Sequence, residues 1–387
     1  MALKNQKDKF KLSDNIVYLN TAYSAPLSKE AEKIGIEALS KKCEPYQYNG
    51  SDFFEPVEKL KNLFAQLIDA PNAQSIAIIP SVSYGIATVA NNVCLKENDE
   101  ILVVDEQFPS NIYSWKRVAE KYKAKIITVS APKTTDNRGQ IWNENILNAI
   151  NENTAVISIP NVHWADGTIF NLKDIREKAT VNNSLLIIDG TQSIGALPFS
   201  LSEINPDALI CAGYKWLMGP YSLGLAYYGE HFINGAPIEE NWINRKNSED
   251  FSGLVNYKDN YKEGANRYSV GEMSNFNLVP MLTKTITQLI EWTPESIQNY
   301  CDEITKEAIE ELRLMNCFIE EDEYRAKHLF GVKIADNMDV NRLKEEFENS
   351  KIFVSIRGEY IRVSPHVFNT KEDLQRLVNC FRLCISF

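Results

Sequence analysis

From residue 75 onward, short apolar and β-branched runs alternate with amphipathic stretches. SIAIIP (75–80), EILVVDE (100–106), KIITVS (125–130), AVISIP (155–160), LLIIDG (185–190), ALICAG (208–213) and LGLAYYG (223–229) read as strands. YGIATVANNV (84–93), SWKRVAEKY (114–122) and LKDIREKAT (172–180) carry a helical period. The strands are nearly continuous apolar runs, which a sheet covered on both faces requires. Strand–helix–strand repetition predicts an α/β fold with a mostly parallel sheet sandwiched by helices. After about residue 230 the pattern changes. Residues 230–275 are polar and loop-rich, and a helical stretch follows over 279–316. DVNRLKEEFENS (339–350) and KEDLQRLVNCFRL (371–383) read as amphipathic helices. The expectation is a large α/β domain over 15–260 and a smaller α+β domain over 261–387 together with 1–14.

Composition narrows the function classes. A chain of 387 residues can bury two cores. Apolar residues at 44% and charged residues at 24% are ordinary globular values. A formal charge of −11 argues against a nucleic-acid or anionic-membrane partner, since either would want a basic face. No apolar run reaches membrane-spanning length. The opening MALKNQKDKFKLSDN has lysines but no apolar core behind them, unlike a secretory signal. Seven scattered cysteines without a C-x-x-C pair fit free thiols in a reducing cytoplasm. Four histidines without an H-x-x-x-H spacing make a metal centre a poor expectation.

In a parallel α/β sheet, ligands sit at the carboxyl ends of strands, so the residues just after each strand are the candidates. Ser81-Val82-Ser83 opens a helix after the first strand. Alone it is an N-cap, but hydroxyls and free N–H groups at a helix start also cradle phosphate. Phe108 and Asn111 follow the second strand, and Phe108 could stack on a flat ring. Asp189 ends the apolar run at 185–188, and Gln192 is three residues on. Tyr214-Lys215-Trp216 follows the strand at 208–213, where a lysine between aromatics is partly desolvated. Desolvation lowers a lysine pKa, and the neutral amine is what attacks a carbonyl. Each feature alone has a bland reading. In this order they form the parts list for pyridoxal 5'-phosphate: phosphate site, stacking ring, acid for the pyridine nitrogen and Schiff-base lysine. No G-x-G-x-x-G follows a strand, which disfavours a nicotinamide enzyme.

Three runs in order, IIDGTQSIG (187–195), AGYKWLMGPYSLG (212–224) and RVSPHVFNT (362–370), resemble the class V aminotransferase and cysteine desulfurase-like family of fold-type I pyridoxal-phosphate enzymes. The resemblance spans nearly the whole chain and includes kynureninase-like features. It implies that Lys215 and Asp189 are catalytic, the first as Schiff-base lysine and the second as partner of the ring nitrogen. It implies that Gln192 bonds the ring oxygen, and that Ser81, Val82, Ser83 and Tyr214 hold the phosphate. Phe108, in the run Phe108-Pro109-Ser110-Asn111, matches the kynureninase ring-stacking residue. Arg362 matches the arginine that holds a substrate α-carboxylate, with Arg357 beside it. Ala22 and Tyr23 match an N-terminal substrate loop, and His163 and Trp164 shape the substrate site.

Departures limit the carry-over. No cysteine lies between Cys317 and Cys380, so persulfide chemistry on a desulfurase-type cysteine is not expected. Gly271-Glu272 stands where the family has Gly-Thr. The leading expectation is an aminotransferase acting on a small amino acid. A C–S or β-lyase and an amino-acid epimerase of the same family are the alternatives. A non-catalytic binding module on this fold is the alternative of another class, disfavoured because Lys215 and Asp189 are both present. The resemblance also implies a homodimer.

Overall fold

A computed structural model describes residues 2–335 and 337–384. The N-terminal part carries strand β1 (Val17–Tyr18) and helices α1 (Lys29–Lys42) and α2 (Glu55–Leu67). Next come β2 (Ile76–Ile79), α3 (Val82–Asn91), β3 (Glu100–Val104), α4 (Tyr113–Tyr122), β4 (Lys125–Val129), α5 (Arg138–Ala149) and β5 (Thr154–Pro160). The series continues with α6 (Leu172–Val181), β6 (Leu185–Asp189), α7 (Leu201–Ile204), β7 (Ala208–Ala212) and β8 (Gly224–Tyr228). The C-terminal part holds α8 (Leu278–Trp292), α9 (Pro294–Leu314), β9 (Phe330–Lys333), α10 (Val340–Asn349), β10 (Ile352–Phe353), β11 (Ser355–Arg357), β12 (Tyr360–Val363) and α11 (Lys371–Leu383).

The main sheet has seven strands in the order β2-β8-β7-β6-β5-β3-β4. Pairing is parallel from β7 through β4, while β8 runs antiparallel to both β7 and β2. The expected mostly parallel sheet sandwiched by helices is present, with one reversed strand. Alternate residues of each strand feed two separate cores. Ile78, Leu102, Ile157, Ile188 and Leu209 join the core beneath α2, α8 and α9. Ile79, Ile101, Val156, Ile187 and Ile210 join the core that includes residues of α3 and α4. Burial on both faces is why the strands read as unbroken apolar runs.

The helical stretch over 279–316 is two helices. Thr293 has a φ of 61° and caps α9, and Pro294 cannot donate the hydrogen bond that would continue α8. Residues 17–20 do not stay with the main sheet. Val17 and Tyr18 pair in parallel with Ile352 and Phe353, and Asn20 bridges Ser364. Residues 29–67 and 278–292 come together as α1 and α2 pack on α8. No helix of the described residues is long and apolar enough to cross a membrane.

Candidate active site

The carboxyl ends of β2, β3, β5, β6 and β7 converge on a cavity of about 210 Å³. Each wall comes from a turn that follows a strand. Past β2, Ser81 has extended backbone and its Oγ accepts the Tyr84 N–H at 3.2 Å, so α3 begins there. The Ser81 and Ser83 hydroxyls lie 2.9 Å apart. The N–H groups of the first helical turn have no partner within the helix, and the dipole there favours an anion.

Past β6, Asp189 is buried and its Oδ1 accepts the Thr191 N–H at 3.0 Å. Burial raises its pKa, opposed by the hydrogen bonds from Thr191 and by the charge of Lys215. Thr191 Oγ1 in turn accepts the Ala212 N–H at 3.2 Å, tying the ends of β6 and β7 together. Gln192 Oε1 accepts from Trp216 Nε1 at 2.8 Å, and Gln192 Nε2 donates to the Ala22 carbonyl at 3.2 Å. The same glutamine therefore holds the N-terminal loop against the strand ends.

Past β7 the backbone turns tightly. A Cβ on Gly213 would lie 2.4 Å from the Leu223 carbonyl oxygen, so only glycine fits before Tyr214 and Lys215. Lys215 is 6% exposed and makes no hydrogen bond or ion pair through Nζ among the described residues. Burial, aided by repulsion from Arg362, pulls its pKa down to about 8. Nζ lies 5.2 Å from the Phe108 ring centre and 5.7 Å from that of Tyr214.

A second cavity, of about 410 Å³, opens onto the first and shares Phe108, Trp164, Tyr214, Lys215 and Tyr221 with it. Ala22, Tyr23, Ser24, Arg357 and Arg362 complete its wall. Arg362 is 1% exposed and donates one hydrogen bond, from NH1 to the Trp164 carbonyl at 3.0 Å. Its Nε and NH2 are buried without a hydrogen-bond partner among the described residues. Burial and the nearby Arg357 bring its pKa down to about 9. A buried, unpaired guanidinium is costly unless an anion completes it, and a carboxylate fits that fork in a bidentate pair.

The structure thus brings Ser81, Val82, Ser83, Phe108, Trp164, Asp189, Gln192, Tyr214 and Lys215 to the first cavity. Ala22, Tyr23, Arg357 and Arg362 line the second. Two candidates lie outside both linings. Asn111 is turned inward by the 3-10 turn Pro109–Asn111, and its Oδ1 accepts from Ser158 Oγ at 2.9 Å beneath the strand ends. His163 points away from the cavity next to its neighbour Trp164. Its Nδ1 is 3.0 Å from Asp166 Oδ1, and its ring packs edge-on against Trp142. Sequence reasoning missed Thr191, Tyr221 and Ser222. The signal for Tyr221 was its place in the run after β7; its ring sits 4.6 Å from that of Tyr214.

The fold and the site define the class: an α/β enzyme of fold type I, whose members work with pyridoxal phosphate. The chain belongs to the aminotransferase class-V family, whose model matches residues 46–377. It is 24% identical to an uncharacterized aminotransferase of Bacillus subtilis over 349 residues, 86% of this chain and 85% of that one. It is 26% identical to a kynureninase of Geobacillus thermodenitrificans over 299 residues, 72% of this chain and 66% of that one. Among solved structures, the cystine C-S lyase C-DES in complex with cysteine persulfide superposes with a TM-score of 0.85. That match has 16% identity and covers 96% of this chain and 99% of the other, so it speaks for the fold.

Proposed function

We propose that this protein is a pyridoxal-phosphate-dependent aminotransferase acting on a small amino acid. The observation that carries the reading is one pairing. Lys215, a buried amine drawn down to about 8, and Asp189, a buried acid without an ion-pair partner, face one cavity from neighbouring strand ends. The residues present fit the cofactor. An aromatic ring, a helix start with two hydroxyls and an uncommitted amine surround one space.

Bound there, pyridoxal phosphate supplies an electron sink for the charge left when a substrate α-carbon loses its proton. The chain's own residues do the rest. Lys215 Nζ would hold the cofactor, and its amine is placed to move the proton to and from a substrate α-carbon. The Asp189 carboxylate would hold the ring nitrogen and favour its protonated form. Gln192 Nε2, through the proton not given to Ala22, is the donor for the ring oxygen. Ser81, Ser83 and the α3 N–H groups take the phosphate, with the Tyr214 hydroxyl. Phe108 would stack on the ring, and Arg362 would take the substrate carboxylate on its Nε and NH2 edge. Tyr23, Trp164 and Tyr221 wall the mouth and exclude water.

No cysteine lines either cavity among the described residues, which supports a route without an enzyme persulfide. Further parts of the proposal are a homodimer and a cytoplasmic setting. The first rests on the resemblance, and on Tyr46, Val255 and Tyr257 being strongly exposed. The second rests on all seven cysteines being free. Light scattering should give twice the 44.0 kDa chain mass.

The first experiment is the visible spectrum of the purified protein with added cofactor, followed by a panel of L- and D-amino acids. A yellow protein whose colour is bleached to a stable form while a keto acid appears supports transamination, and Lys215→Ala should abolish it. Release of pyruvate with ammonia or sulfide would replace this reading by a lyase. Inversion of the substrate without net turnover would replace it by an epimerase. A protein that stays colourless, as does Lys215→Ala, would leave only a binding module.

A further inference from the structure

The second cavity holds more positive charge than one carboxylate neutralises. Its wall carries Arg362, Arg357 and Lys215 and, among the described residues, no aspartate or glutamate. Arg357 is half-buried and makes no ion pair within 4 Å among the described residues. Its NH1 donates to the carbonyl of its own neighbour Ile356 at 2.7 Å, and its buried Nε has no partner. Neither acid next to this stretch forms an ion pair with Arg357 among the described residues. Glu359 pairs with Lys333 at 2.7 Å, and Glu106 Oε2 lies 4.0 Å from where a Cβ on Gly358 would stand.

Both guanidiniums lie against one indole. The guanidinium carbon of Arg357 is 5.5 Å from the Trp164 ring centre, and that of Arg362 is 5.9 Å from it. Trp164 is itself fixed, since its Nε1 donates to the Glu106 carbonyl at 2.6 Å and its own carbonyl holds Arg362. Holding two like charges beside one rigid side chain is unfavourable without a counter-charge. It becomes favourable when two anionic groups arrive together.

We propose that the substrate is an amino acid with a second anionic group on its side chain, a carboxylate or sulfinate. Arg362 takes the α-carboxylate and Arg357 the side-chain anion. The inference rests on the aminotransferase reading for the identity of the amino acid, and the geometry of the arginine pair stands apart from that reading. A dianion spanning both guanidiniums leaves its α-amino group toward Lys215, which shares the same cavity wall. Trp164, in contact with both arginines, then helps to set the spacing that the substrate's anions must match.

The test is calorimetric titration of the purified protein with succinate, a dianion, and propionate, a monoanion of similar width. The wild type should bind succinate at least tenfold more tightly than propionate. Arg357→Leu should shrink that ratio to under about threefold, and Arg357→Lys should restore part of it. Circular dichroism of each variant guards against unfolding; if Arg357→Leu does not fold, the Arg357→Gln ratio decides. Equal affinities in the wild type would overturn the inference and mean that both arginines grip a single carboxylate, and a ratio that survives removal of Arg357 would overturn it by showing that Arg357 does not read the second anion. Visible colour with cofactor is read separately. A yellow protein without dianion preference sinks the arginine pair alone. A colourless protein with the preference sinks the aminotransferase reading and leaves the pair standing.

Discussion

Reactivity at Lys215 comes from what surrounds one amine. Burial, then the charge of Arg362, lower its pKa to about 8, while Asp189 pulls the other way. The neutral amine therefore gains population as pH rises through 8. The folded-state value is depressed, so between about 8 and the ordinary lysine value of 10.5 the unfolded chain binds more protons than the folded one. The lysine's destabilising contribution fades as pH rises across that window. The rate at which Lys215 captures pyridoxal phosphate should follow the neutral fraction, with an inflection near pH 8. Arg362→Leu removes a repulsion, so the inflection should move up by about one unit, the scale of a single charged neighbour. Stopped-flow absorbance across pH 6.5 to 10 reads both, roughly spanning the lysine range. An inflection that stays in place would show that burial alone sets the amine.

Helix α3 shows how one element serves stability and binding together. Its cap is a single hydroxyl, Ser81 Oγ on the Tyr84 N–H, backed by Ser83. Ser81→Ala should cost about 1 kcal/mol by loss of the cap, read as a fall in melting temperature without cofactor. Cofactor affinity should fall further, by roughly tenfold, because the same hydroxyl faces the phosphate space. If both measurements fall by the same free energy, the hydroxyl is only a cap. The element scale is also where sequence periodicity was least informative. Helix α5 buries Arg138, Gly139 and Asn143 beside Trp142 and Ile146, so its inward face is half polar and carries no clean apolar stripe. Those polar groups are satisfied only in the fold: Asn143 Nδ2 donates to the Gly139 and Ile169 carbonyls at 2.9 and 3.1 Å.

The whole molecule is joined across its parts by a buried ionic cluster. Arg138 NH2 meets Asp166 Oδ2 at 2.8 Å, and Arg138 NH1 meets Glu320 Oε2 at 2.9 Å. The cluster ties α5, the loop that presents Trp164, and the segment before β9. Arg138→Met would leave two carboxyl groups buried without their cation. The expected loss is about 3–5 kcal/mol, measured by denaturant unfolding. A loss below about 1 kcal/mol, the range of an exposed pair, would mean that water reaches the cluster.

The sequence by itself determined the seven-stranded sheet and its cavity-lining turns. Two-sided burial demands continuous apolar strands, and chemistry at strand ends must lie next to them in the chain. That is why Asp189, Lys215 and Ser81 were legible from local pattern and order. Only the tertiary structure decided the rest. Asn111 and His163 sit beside lining residues in sequence, yet a 3-10 turn and the pull of Asp166 direct their side chains elsewhere. Strand β8 is reversed, and β1 leaves its sequence neighbours to pair with β10, because long-range pairing leaves no mark on local periodicity. The charge of the second cavity belongs to the same class. Arg357 and Arg362 are five residues apart, but their common approach to Trp164 exists only after the chain has folded.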